Sequence, residues 1–162
     1  MKKILIVSVT SRNNLILAKK IGELFRVDTE TITQEDYQLP LYTGKTKLDD
    51  NTIINDLCKK IVNASGFVFC GPEYNGGSAP ILTNAITWVS VTTDYWRDAF
   101  SDKIGLIATH SGGNWSSFLS TFRQQLEFLG VIVFPRSIIV NKNKDFNTES
   151  SKKIIERFQS LL

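Results

Sequence analysis

The 162-residue chain is poor in the residues that build disulfide frameworks and metal sites. It has two cysteines, Cys58 and Cys70, and one histidine, His110. With no C-x-x-C pair and no histidine cluster, neither a disulfide scaffold nor a zinc site is expected. Cys70 ends an apolar run and reads as a buried strand residue. No apolar run approaches the ~18 residues of a membrane span. The apolar part of Met1–Val7 is too short for a signal peptide, and Thr10-Ser11-Arg12-Asn13-Asn14 interrupts it at once. There is no Lys/Arg block: 19 basic and 16 acidic residues leave a net charge of +3 scattered along the chain. That spread argues against a nucleic-acid-binding arm. Neither the phosphate-binding G-x-x-x-x-G-K-S/T nor the dinucleotide-binding G-x-G-x-x-G occurs. A cytoplasmic protein with no nucleic acid and no membrane among its partners is expected.

What is present is an ample core. Hydrophobic residues make up 42% of the chain, with ten Phe and three Trp. This suits a single domain over residues 1–162. Ile4–Val9 is a short β-branched run of the kind buried on both faces of a sheet. Past the polar stretch Thr10–Asn14, apolar residues recur at helical spacing from Leu15 to Leu24. A second strand is expected at Asp28–Thr33, followed by a loop, Asp36–Tyr42, whose apolar residues pack down. A helix over Thr52–Val62 and a strand over Gly66–Cys70 come next. Gly71-Pro72-Glu73-Tyr74-Asn75-Gly76-Gly77 then leads into a helix over Ser78–Val91, with Ser78 as N-cap and Pro80 in the first turn. Lys103–Thr109 reads as the fourth strand, ending in His110-Ser111-Gly112-Gly113. Ser116–Leu129 is a helix stopped by Gly130. Val131–Pro135 and Ser137–Val140 supply the fifth strand, and Thr148–Leu162 a last helix.

Strand and helix thus alternate through the chain, which predicts an α/β fold: a five-stranded parallel sheet with helices on both faces. Such sheets bind ligands beyond their strand C-termini. Three unusual loops fall there. Thr10, Ser11, Arg12, Asn13 and Asn14 offer hydroxyls, amides and a guanidinium just before a helix N-terminus, where orphan N–H groups favour an anion. Either Arg12 adds charge-assisted bonds to a phosphate, or an Asn caps the helix while Arg12 lies in solvent. Gly71, Gly76 and Gly77 let backbone approach a flat ring and offer unobstructed N–H groups, and Gly112 and Gly113 do the same in the third loop. The loops together suit a phosphorylated, flat-ringed mononucleotide. His110 is either a satisfied structural residue or a contact to ring or substrate. Trp115 is a pocket wall or an oligomer contact.

The stretch Pro72-Glu73-Tyr74-Asn75-Gly76-Gly77, followed by Pro80, Leu82, Asn84-Ala85-Ile86 and Trp88, resembles the NADPH-dependent FMN reductase family. Its signature is Pro-Glu-Tyr-Asn-Gly ahead of a helix carrying Lys-Asn-Ala-Ile-Asp-Trp. The start through Ala18, Leu39-Pro40-Leu41-Tyr42, and Ser111-Gly112-Gly113 with Arg123 through Phe134-Pro135 resemble further parts of the family, so the likeness covers roughly residues 1–140. The departures are Asn13-Asn14 in the phosphate loop, Ala79 before Pro80, and Thr83 and Thr87 where Lys and Asp are frequent.

The resemblance implies a flavodoxin-like three-layer sandwich. It implies an FMN held by Thr10, Ser11, Arg12, Asn13 and Asn14, by Pro72, Glu73, Tyr74, Asn75 and Gly76, and by Ser111, Gly112 and Gly113. Glu73 is expected to organise its loop rather than act as a base. NADPH or NADH would serve as reductant, and a quinone, azo compound, free flavin or metal oxyanion as small-molecule acceptor, with ping-pong kinetics and no catalytic side chain beyond the flavin. The alternative is a flavin-binding electron carrier for a protein partner, although flavodoxin carriers are typically acidic and this chain is not. The resemblance also implies a homodimer or homotetramer. The aromatic segment Val91–Phe100, with Tyr95 and Trp96, is either part of that interface or an ordinary packed connection. Arg97 is a candidate contact to a nicotinamide nucleotide phosphate.

Overall fold

A computed structural model describes residues 2–94, 98–113 and 115–162. Its elements run β1 (Lys3–Ser8), α1 (Asn13–Gly22), β2 (Asp28–Thr33), a 3₁₀ turn (Gln34–Asp36), α2 (Thr52–Asn63), β3 (Gly66–Cys70), β4 (Glu73–Tyr74), β5 (Gly77–Ser78), α3 (Pro80–Thr92), β6 (Ile104–Ser111), α4 (Ser116–Phe128), β7 (Ile132–Val133), β8 (Ile138–Asn141) and α5 (Thr148–Gln159).

The main sheet is parallel, in the order β2-β1-β3-β6-β7, with β8 also on β6. Side chains alternate between its faces. Ile4, Ile6, Val68 and Cys70 point to the layer of α1 and α5, while Leu5, Val7, Phe67 and Phe69 point to α2, α3 and α4. The second face is knitted by aromatics: Phe118 stacks on Phe122 with ring centroids 5.5 Å apart, and Phe69 meets Phe122 edge-on at 5.1 Å. A parallel sheet with a helical layer on each face is the flavodoxin-like three-layer sandwich that the family resemblance implies.

The fifth strand is split, and proline explains it. β7 pairs with Ile104 and Gly105, and β8 with Ala108 to Ser111. Between them Pro135 has no N–H for the ladder. Ser78 does not cap α3. It is drawn into the β4–β5 hairpin, so Ala79 stands at the N-cap without a side-chain bond, and Pro80 opens the helix. Gly130, at φ +90°, ends α4 as expected. Phe100 is fully buried in the core, an ordinary packed residue. The expectations placed on Tyr95, Trp96 and Arg97 fall outside the described residues.

The loop after β2 packs down through α3. Asn84 Oδ1 accepts the Tyr42 N–H at 2.8 Å, while Asn84 Nδ2 and Trp88 Nε1 donate to Pro40 O at 3.0 and 2.7 Å. Tyr42 meets the Trp88 ring edge-on at 5.1 Å. Asn84 and Trp88, two residues of the family-like helix, are thus spent on holding a loop.

Candidate functional site

Parallel register brings the three loops to one edge. Ser8 lies beside Thr33 and Cys70, and Cys70 beside Ala108, so β1, β2 and β3 end together while β6 runs on to Ser111. A cleft of about 370 Å³ opens there, lined by Thr10, Arg12, Asn13, Asn14, Glu35, Pro72, Tyr74 and His110. It therefore joins the first loop to the second and to the end of β6. A larger cavity of about 550 Å³ lies over the edge strand β2, between α1 and α2, and none of its lining belongs to the three loops.

In the first loop Arg12 is the N-cap of α1 and makes no side-chain cap bond. Neither Asn13 nor Asn14 caps the helix, since both lie inside it. The N-terminal N–H groups and the helix dipole keep their affinity for an anion, and Arg12 is exposed at the cleft. Asn14 is different. It is buried, and its amide is committed elsewhere: Nδ2 donates to His110 O at 3.1 Å and Oδ1 accepts the His110 N–H at 2.9 Å. The Gly71 N–H still donates to Ala108 O, but β3 has then left the sheet. Two residues further along β6, Asn14 supplies the donor and acceptor that a β3 backbone would have supplied.

The second loop is a hairpin. Asn75 and Gly76 both have positive φ, 49° and 74°, between the paired residues Tyr74 and Gly77. Positive φ at both central positions is what a type I′ turn demands, and Asn-Gly is its strongest sequence signal. The Asn75-Gly76 dipeptide is thus a local cue to the β4–β5 hairpin, where a glycine-rich loop is expected from composition. Glu73 anchors the hairpin's base. Its N–H donates to Ser111 Oγ at 3.0 Å, and its Oε2 accepts the Phe118 N–H, in the first turn of α4, at 2.9 Å. A carboxylate on a helix N-terminus is well placed electrostatically, so Glu73 organises the loops.

Gly71 has a packing role instead of an open backbone. A Cβ there would sit 2.9 Å from Val9 Cγ2 and 3.0 Å from Phe118 Cζ. Gly76, Gly77, Gly112 and Gly113 differ, because a Cβ on any of them would meet nothing within 4 Å. Tyr74 is 49% exposed beside them. Ser111 is buried, and its hydroxyl is shared between Thr109 Oγ1, at 2.9 Å, and the Glu73 N–H. It braces the third loop against the second. His110 stands between two clefts, since it also lines one of about 280 Å³ formed with Asn13, Lys20, Asp145 and Phe146. Trp115, just before α4, is half-buried.

The chain thus brings Thr10, Arg12, Asn13, Pro72 and Tyr74 to one cleft, leaves open glycine backbone on two loops beside it, and spends Asn14, Glu73 and Ser111 on bracing those loops. This donor set fits a flat phosphorylated ligand: a cationic and amide-rich end, then open main chain and an exposed aromatic. Among the described residues no group of three or more His, Cys, Asp or Glu could hold a metal. No described helix is long and apolar enough to cross a membrane. Burial pushes the Cys58 thiol up to about 11 and the Cys70 thiol still further, so neither is a nucleophile at neutral pH.

Sequence reasoning missed Glu35. Its carboxylate Oε2 accepts the Ser11 N–H at 2.9 Å, a contact set by strand register and invisible in local pattern.

The family model described as NADPH-dependent FMN reductase matches residues 1–145. Comparison with curated proteins gives no match. Among solved structures the chain is similar to FerB, a flavoenzyme NAD(P)H:(acceptor) oxidoreductase from Paracoccus denitrificans, at 18% identity and TM-score 0.76, covering 99% of this chain and 94% of that one. It is similar to the apo form of EMOB, an NADH:FMN oxidoreductase, at 19% identity and TM-score 0.77, covering 100% and 90%. An azoreductase from Bacillus anthracis str. Sterne matches at 15% identity and TM-score 0.63, covering 99% and 96%. At such identities the structural likeness is one of fold.

Proposed function

This chain belongs to the NADPH-dependent FMN reductase family, and from that premise we propose that it is a cytoplasmic oxidoreductase that carries electrons from NADPH or NADH through FMN to a small-molecule acceptor. The observation that carries this reading is the convergence of a cationic loop, an open Asn-Gly hairpin and a Gly-Gly loop at one sheet edge. Bound FMN would supply the hydride chemistry, so no acid–base pair is required of the protein. Arg12, Thr10, Asn13 and the first-turn N–H groups of α1 would hold the phosphate. Main-chain N–H groups of the hairpin and of Gly112–Gly113 would hold the polar edge of the ring and favour negative charge there. Tyr74 would pack beside it.

Donor and acceptor would take turns on one exposed face, which gives ping-pong kinetics. A quinone, an azo compound, free flavin or a metal oxyanion fits such an open site equally. A homodimer or homotetramer would add the remaining wall. Leu41, in the loop after β2, and Val91, in α3, are apolar and exposed and offer surface that such a copy could cover.

The test is an absorption spectrum of purified protein loaded with FMN, taken before and after anaerobic NADPH. Retained yellow colour that bleaches rapidly is expected. Protein that stays colourless after FMN is supplied and excess removed overturns the flavin site. Retained colour without bleaching leaves an electron carrier in place of a reductase.

A further inference from the structure

Glu35 is the acid among the described residues lining the cleft, and its carboxylate sits on a main-chain donor of the first loop, the Ser11 N–H, at 2.9 Å. Its position is not accidental. The parallel register Ser8↔Thr33 ends β1 and β2 side by side, and the 3₁₀ turn that starts at Gln34 delivers Glu35 across the gap. The field just before α1 favours an anion, and a carboxylate can take the place of another anion there.

This inference rests on the reading that the first loop holds the FMN phosphate. We propose that Glu35 is a specificity-determining residue of that site: it occupies a loop donor that the phosphate would use, so it weakens selection for the phosphorylated flavin. Two anions cannot share one N–H, and a carboxylate left beside a phosphate repels it. FMN must therefore displace Glu35, whereas riboflavin, which lacks the phosphate, need not. Displacement is easy, because Glu35 is exposed. The two residues before it carry buried polar atoms without a hydrogen-bond partner, Thr33 Oγ1 and Gln34 Nε2, so a shift of this segment breaks no bonds at those atoms.

The test titrates wild type, Glu35→Gln and Glu35→Ala with FMN and with riboflavin at fixed ionic strength, following flavin fluorescence. Inorganic phosphate serves as competitor in a parallel series. Glu35→Gln retains an acceptor for Ser11, and unchanged far-UV circular dichroism checks the fold of both variants. FMN affinity is expected to rise about tenfold in Glu35→Ala, equivalent to about 1.4 kcal/mol, and by less in Glu35→Gln, which loses the charge but keeps the Ser11 N–H occupied, while riboflavin affinity stays within about twofold in both. Inorganic phosphate should compete more strongly with FMN in the variants. An unchanged or lower ratio of FMN to riboflavin affinity overturns the role of Glu35 and leaves the flavin site standing. Wild type that binds neither flavin overturns the functional reading and this inference with it.

Discussion

The bridge between Asn14 and His110 ties the first loop to β6, and Asn14→Ala measures it. The substitution removes two hydrogen bonds, of 3.1 and 2.9 Å, from a residue only 2% exposed. The methyl group that remains satisfies neither the N–H nor the C=O of His110. Each orphaned buried group costs about 1–3 kcal/mol. His110 is partly accessible, so water recovers some of that, and a total of about 2–3 kcal/mol is expected. For a chain of this size about 2–4 °C is lost per kcal/mol, so Tm should fall by roughly 5–10 °C in a calorimetric scan. Asn14→Asp sharpens the experiment. Its ionised carboxylate still accepts from the His110 N–H but places negative charge against the His110 carbonyl. The variant should therefore be at least as unstable at neutral pH. It should recover as pH falls through the carboxyl pKa, when one oxygen becomes a donor. An Asn14→Ala protein that melts within 2 °C of wild type would refute the reasoning, because the bridge would then contribute nothing in solution.

Other perturbations follow from the same contacts. Gly71→Ala drives a methyl into Val9 and Phe118 and should cost about 1–3 kcal/mol in urea unfolding, whereas Gly112→Ala meets nothing within 4 Å and should leave Tm unchanged while weakening flavin binding. Lys3 and Lys60 both pair with Glu30 and hold its carboxyl below the usual range. A depressed pKa stabilises the fold above the unfolded value and loses that effect as pH falls through the folded value. Glu30→Gln should accordingly cost about 1 kcal/mol at pH 7, with the gap to wild type narrowing as the pH falls into the acid range; a gap that does not narrow with acidification would contradict the ion pair. With the Cys58 thiol raised to about 11 and Cys70 higher, native protein should resist an aromatic disulfide reagent at pH 8 and release two thiols in guanidinium. Fast labelling of the native protein would count against the packing around them.

The parallel sheet was legible because its evidence is local: apolar β-branched runs, helical periodicity, and punctuation by Gly and polar residues. The Phe67, Phe69, Ile4 and Ile6 positions could be placed on strands from pattern alone. Less was legible where one residue answers two signals. Ser78 satisfies the rule for an N-cap, yet the Asn75-Gly76 turn pulls it into the hairpin and moves the helix start to Pro80. Pairings between distant segments were not legible at all. Asn14 with His110, Glu73 with Phe118 and Glu35 with Ser11 depend on which strand ends lie side by side. That is fixed by the β2-β1-β3-β6 order, which no window of sequence contains.

Those distant pairings change what the site residues are for. Asn14, Glu73 and Ser111 look like ligand donors in a sequence, because amides, carboxylates and hydroxyls at strand ends commonly are. Their hydrogen bonds are already spent on one another's loops before any ligand arrives: Asn14 ties the first loop to β6, Ser111 ties β6 to the hairpin, and Glu73 ties the hairpin to α4. The three loops are therefore one cross-braced unit, and pre-organisation of this kind lowers the entropy lost when a ligand binds. The donors left over at the cleft are main-chain N–H groups and the side chains of Thr10, Arg12, Asn13 and Tyr74. Substituting a brace should then affect both ends of a bound flavin together, whereas substituting Arg12 should affect the phosphate alone. Comparing FMN with riboflavin affinity across Asn14→Ala and Arg12→Ala separates the two: the first should weaken both ligands, the second only FMN, and equal loss of both ligands in Arg12→Ala would show that the phosphate is not held by this loop.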